Sequence, residues 1–151
     1  MDFAVAVDGS EQSERTLDYA FELGEAMSHA PSITAVHVVD PDVYTEGGIE
    51  PVADLADAER RLIIENIADA EDRGQGILDD AVAFAADRDV ELRTELLYGD
   101  PVEQLSDVAS AEGFDALFVG HRGHSEHAER FLGSVAKGLV ERSDVPVTVV
   151  R

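Results

Sequence analysis

The sequence predicts a single three-layer α/β domain spanning residues 1–151, with a five-stranded parallel sheet in the order 3-2-1-4-5 and helices on both faces. Three observations predict it. Short apolar runs alternate with segments of helical periodicity along the whole chain, most of the runs are apolar nearly throughout, and two of them end in glycine turns that open helices. At 151 residues and 44% hydrophobic content, the chain fills one core.

The elements follow in order. Phe3-Ala4-Val5-Ala6-Val7 reads as a buried strand, and Asp8-Gly9-Ser10 as the turn behind it, with Ser10 as N-cap. Leu17, Ala20, Gly24 and Met27 recur at helical spacing, which predicts a helix over about residues 11–29. The run from Ile33 to Val39 is the second strand, stopped by Asp40-Pro41. Residues 41–57 hold Pro41, Gly47, Gly48 and Pro51 and no clear period, so a long functional loop is expected. Ile63, Ile67, Ala70, Gly74, Ile77, Ala81 and Phe84 then mark one long helix; Gly74, on its apolar stripe, and Gly76 mean either close packing or a local break, and packing is expected.

The stretch from Val90 to Leu97 alternates apolar and polar residues, as an edge strand with a wet face does. Gly99-Asp100-Pro101-Val102-Glu103 is a helix start, with Asp100 as cap, Pro101 at the first helical position and Glu103 completing a capping box. Residues from Phe114 to Val119 form a fourth strand, and those from Val145 to Val150 a fifth. In a sheet of this order ligands bind where the order reverses, beyond the carboxyl ends of strands one and four; Asp8 and Gly120 stand at those two ends.

Thirty-three acidic residues against 11 basic ones give a formal net charge of −22, which argues against nucleic-acid binding. Self-repulsion of that size is best tolerated where salt screens it, so a salt-rich cytoplasm, and hence a halophilic source, is expected. There is no cysteine, so disulfides and thiol catalysis are excluded. No apolar run reaches eighteen residues and the start has no basic region, so neither a membrane span nor a leader is expected, and the location expected is cytoplasmic.

The chemistry lies in the segment from Gly120 to Val135. Gly120 and Gly123 let backbone amides approach a phosphate chain, and Gly133-Ser134 opens the last helix, whose free amides and dipole attract anions. A triphosphate is the natural ligand. His121, His124 and His127 recur every third residue, yet histidines in such a loop more often meet solvent or phosphate than a metal, and no dedicated metal site is expected. Gly-x-x-x-x-Gly-Lys is nowhere in the chain, so this is no P-loop. His37, inside the second strand, reads as a core residue satisfied by a hydrogen bond.

Gly120, Gly123, Gly133 and Ser134, spaced Gly-x-x-Gly, nine residues, Gly-Ser, together with Val7-Asp8-Gly9-Ser10-Glu11, Gly99-Asp100-Pro101 and the ending Val145 to Val150, make the chain resemble the universal stress protein family over its whole length, in its ATP-binding subgroup. The resemblance implies a flavodoxin-like or Rossmann-like fold, ATP between strands one and four, and a homodimer through the last strand. It places Asp8, with Ala6, Val7, Gly9 and Ser10, by the base and ribose. Val38 and Val39 would face adenine, and Gly120 would lie near the ribose. Gly123, Gly133, Ser134 and Val135 would cradle the phosphates beside His121, Arg122 and His124. Ser125-Glu126-His127 stands where the family often has Ser-Gly-Leu. A divalent ion, magnesium, is expected with the nucleotide, because chain and ligand are both acidic.

The function expected is a nucleotide-dependent regulatory module read by a protein partner. The alternatives are a nucleotide-free dimerising stress protein and a slow ATP hydrolase. Catalysis has little support, since Asp8 is the only acid placed near the cleft and is assigned to the base end. Adenylyl transfer is excluded, because Asp8-Gly9-Ser10-Glu11-Gln12-Ser13 is not the Ser-Gly-Gly-x-Asp-Ser loop it requires. A phosphoacceptor domain is excluded by Leu97-Tyr98-Gly99, which has no aspartate after the third strand.

Overall fold

Strands alternate with helices from the amino end to the carboxyl end, as the periodicities predict. The computed structural model describes residues 1–40, 56–122 and 132–151, with side chains from residue 67 onward in the second segment. The elements are β1 (Asp2–Ala6), α1 (Glu11–Glu25), β2 (Ser32–Val39), α2 (Ala56–Ala86), β3 (Leu92–Tyr98), α3 (Pro101–Ala111), β4 (Ala116–Gly120), α4 (Ser134–Arg142) and β5 (Val147–Val150). The five strands form one sheet in the order β3-β2-β1-β4-β5, parallel at every pairing. None of the described helices is long and apolar enough to cross a membrane.

Alternation along the strands divides the core into two layers. Phe3, Val5, Val7, Ile33, Ala35 and Phe118 face α1 and α2, where they meet Leu17, Phe21, Leu78 and Ala85. Ala4, Val36, Leu117 and Val119 face α3 and α4, against Leu105, Ala109, Ala136 and Leu139. The rings of Phe3 and Phe118 lie 5.0 Å apart across the β1–β4 pair. Each large side chain fully buried in this way, such as Leu17 or Leu78, stabilises the fold by about 2–3 kcal/mol.

Local signals account for most boundaries. The side chain of Ser10 accepts from the Ser13 amide at the start of α1, and that of Asp100 accepts from the Glu103 amide at the start of α3, with Pro101 behind it. Glu103, expected to complete a capping box, has its carboxylate 3.7 Å from Arg142 of α4. Helix α1 ends at Glu25 rather than near residue 29, because the chain turns there to bring Pro31 back over Gly24, where a Cβ would lie 3.1 Å from the proline ring. Gly74 is the close-packing glycine of α2: a Cβ there would lie 2.9 Å from His37 Cδ2 and 3.0 Å from Leu96 Cδ1. Most of the expected 41–57 loop lies outside the described residues.

Candidate functional site

The strand order reverses between β1 and β4, whose chains leave toward opposite edges of the sheet. Their carboxyl ends therefore border a gap that no crossover fills. The described residues expected at the site gather around that gap from four elements.

After β1 the chain must turn sharply into α1, and Gly9 does so at φ 77, a left-handed conformation that glycine adopts without strain. The turn orients Asp8. Its Oδ1 accepts from the Ser10 amide at 2.9 Å and from Ser10 Oγ at 2.5 Å, so the carboxylate is held over the strand end. Val7 continues the ladder, donating its amide to the Val36 carbonyl at 2.9 Å. The Val7 carbonyl accepts from His37 at 2.7 Å, which requires the proton on Nδ1; the hydrogen bond is the one expected, but the side chain is half-buried rather than in the core.

On β2 the backbone groups of alternate residues point to alternate sides. Val36 turns its carbonyl toward β1, so Val38 turns its N–H and C=O to the same side, just past the last residue of β1. Val39, one residue on, is turned the other way and its carbonyl accepts from the Gly99 amide at 2.9 Å. Of the two residues expected to face a base, Val38 thus has its backbone on the gap.

Gly120 ends β4 opposite Val150. A Cβ on it would lie 2.7 Å from Gln12 Cγ and 3.2 Å from the Arg122 carbonyl oxygen. The structure therefore supplies a packing reason for this glycine, where the sequence suggested only close approach to a ligand. His121 donates its amide to the Val150 carbonyl at 2.7 Å and accepts the Gly133 amide on its own carbonyl at 2.6 Å, which fixes where α4 begins. Arg122 Nε donates to His121 Nε2 at 3.0 Å, so the guanidinium is drawn back toward the strand end. Gly123, His124 and His127 lie outside the described residues.

The start of α4 differs from its counterparts. Helices α1 and α3 each have a side-chain cap and acids in the first turn, Glu11 and Glu14 in one and Glu103 in the other. The N-cap of α4 is Gly133, which makes no side-chain cap hydrogen bond, and its first turn, beginning Ser134-Val135, holds no acid. In a chain with 33 acidic residues, this helix alone among those three carries no acid in its first turn, at the positive end of its dipole. Such an end suits an external anion, a phosphate above all. Two open depressions, of about 370 and 430 Å³, lie at the other end of the sheet; Ser106 and Arg142 line the first, Pro31 and Arg88 the second.

Sequence reading missed Gln12, whose Nε2 donates to the Val150 carbonyl at 2.8 Å. Nothing local could have revealed it, because the partner lies 138 residues away.

Comparison with known proteins agrees with this fold. The profile of the universal stress protein family matches residues 2–151. The universal stress protein YxiE of Bacillus subtilis is 30% identical over 147 residues, covering 97% of this chain and 96% of its own. Among solved structures, that of the hypothetical protein MJ0577 superposes with a TM-score of 0.81 at 20% identity, covering 99% of this chain and 94% of that one. A universal stress protein from Archaeoglobus fulgidus, solved in complex with dAMP, superposes with a TM-score of 0.64 at 23% identity over 100% of this chain and 98% of its own.

Proposed function

The chain belongs to the universal stress protein family, and from that premise we propose that it binds ATP between the ends of β1 and β4 and the first turn of α4, as a nucleotide-dependent regulatory module. The observation that carries this reading is the α4 start: glycine-capped, without an acid in its first turn and hydrogen-bonded through Gly133 to His121 at the end of β4. Amides of Ser134 and Val135 would hold phosphate oxygens, with Gly123 and His124 closing the loop and Arg122 supplying charge. The backbone of Val38 would meet the adenine edge, and Asp8, steadied by Ser10, the ribose. The dAMP complex of the Archaeoglobus fulgidus protein is in keeping with an adenine nucleotide here. Magnesium would travel with the phosphates and offset their charge against that of the chain.

The reading is one of binding rather than turnover, because Asp8, the acid at the end of β1, already accepts two hydrogen bonds from Ser10 and is set at the base end. Its output would be a cytoplasmic homodimer paired through β5, which bound nucleotide stabilises for a protein partner to read.

Calorimetry with magnesium and ATP in molar potassium chloride tests the proposal, high salt being chosen to screen a net charge of −22. The intact chain should bind, and a Gly123→Val, Gly133→Val variant that keeps its helical circular dichroism should bind at least about tenfold more weakly, the loss of one or two charge-assisted hydrogen bonds. An intact chain that binds no ATP would overturn it.

A further inference from the structure

One backbone oxygen joins the candidate nucleotide site to the free edge of the sheet. The carbonyl of Val150, the last residue of β5, accepts from Gln12 Nε2 of α1 at 2.8 Å and from the His121 amide at 2.7 Å. His121 in turn accepts the Gly133 amide, and Gly133 caps α4. The chain of contacts therefore runs from the first turn of α1 to the end of β5, on to the end of β4, and then to the amides proposed to hold phosphate.

Gln12 is keyed into this position from two sides. Its methylenes cross the space over Gly120 that a Cβ would occupy at 2.7 Å, so β4 must end in glycine for Gln12 to reach β5. One turn further along α1, the fully buried Thr16 donates its hydroxyl to the Gln12 carbonyl at 2.7 Å and fixes the turn that carries the side chain. Three elements thus meet at one half-buried side chain, and the start of α4 hangs from the His121 carbonyl, one residue past β4.

We infer that Gln12 is a positioning residue that couples nucleotide binding to pairing of the β5 edge. The inference rests on the proposed nucleotide-binding dimer and names the device that links its two halves. Pairing of β5 with a second copy sets the position of Val150, and through its carbonyl that of His121 and Gly133. Phosphate drawn onto the α4 amides sets the same residues from the other end. Coupling of this kind is reciprocal: the factor by which ATP tightens the dimer equals the factor by which the dimer tightens ATP binding. One neutral hydrogen bond with a net worth of about 1 kcal/mol supports a factor of about five.

The test is sedimentation equilibrium of the full chain in molar potassium chloride, without ATP and with saturating magnesium and ATP. The dimer dissociation constant should fall about fivefold with ATP. Gln12→Met keeps the methylenes over Gly120 but lacks the donor, so it should still bind ATP and dimerise while the ratio falls toward one, only the route from Val150 through His121 remaining. Gln12→Lys, which returns an N–H donor to the same carbonyl, should restore a ratio above one. A Gln12→Met chain with the wild-type ratio overturns the inference alone, and so does one that weakens both equilibria and leaves the ratio intact, since that is purely structural support. Should Gln12→Met fail to fold, the wild-type chain decides by itself, because a dimer constant that ATP leaves unmoved overturns the coupling. A wild-type chain that binds no ATP removes the function proposed above as well, and calorimetry on the same sample distinguishes that failure.

Discussion

The sheet has two outer edges, and they are built from opposite chemistry. Strand β3 pairs with β2 over seven residues, and no strand among the described residues pairs with its other side. Arg93 and Thr94 are exposed there, and Glu95 is half-buried on the face toward α3. Strand β5, at the other edge, is only four residues long, Val-Thr-Val-Val, all half-buried and none charged. An open row of backbone donors and acceptors invites another strand unless charge discourages it. The contrast teaches that position in the topology makes an edge available, while side-chain charge decides whether it is used. By that rule β5 is the edge that suits the proposed pairing with a second copy, and β3 the edge that charge guards.

Breaking the β5 seam should have the largest effect. Leu117 donates to the Pro146 carbonyl and His121 to that of Val150, so even-numbered residues of β5 turn their backbone groups toward β4 and odd-numbered ones turn theirs outward. Val149→Pro should therefore remove an outward donor and leave the β4 ladder intact. The expected result is a halved mass by light scattering, with a thermal midpoint close to that of the parent. Thr148→Pro removes an inward donor instead, and should cost about 3 kcal/mol or more of stability. A dimer that survives Val149→Pro would place the interface elsewhere.

Removing the guard on β3 sharpens the comparison from the other side, with a smaller effect. In an Arg93→Val, Glu95→Val chain both edges would be apolar, and a dimer paired through β5 would still present two open β3 edges. Species larger than a dimer, growing with concentration, are the expected outcome in sedimentation velocity. A chain that stays dimeric would shift the protective role to Tyr98 and the neighbouring helix.

Both edges were legible in the sequence, because alternation in Val90 to Leu97 and its absence in Val145 to Val150 are local patterns. The caps at Ser10 and Asp100 were legible for the same reason, as was the tight packing at Gly74. The end of α1 was not, since Pro31 acts on Gly24 through space. Strand β5 begins at Val147 rather than Val145, after an exposed proline that has no amide to donate. At the site, the Asp8 turn and the glycine cap of α4 could be read from residue types alone. Val38 was chosen through family resemblance, and only the parity of β2 explains why its backbone borders the gap. Gln12 was invisible, because its meaning depends on a carbonyl brought to it by the complete sheet order.

The smallest effect belongs to Glu95 itself, and it measures what guarding the β3 edge costs. Burial, and then the nearby Glu112 carboxylate, push the Glu95 carboxyl above its ordinary value of 4.5. A carboxyl raised on folding binds its proton more tightly in the native state, so its ionised form weakens the fold at neutral pH. That penalty fades as the pH falls through the raised value and is gone below about 4.5. Glu95→Gln should accordingly raise the thermal midpoint at pH 7, by no more than about 3 °C for a site this open to solvent. The advantage over the parent should shrink on acidification and vanish below the ordinary carboxylate range. A gain that is the same at both pH values would mean that shape rather than charge is responsible, and β3 would then be guarded by Arg93 and the strand's geometry, with the carboxylate a bystander.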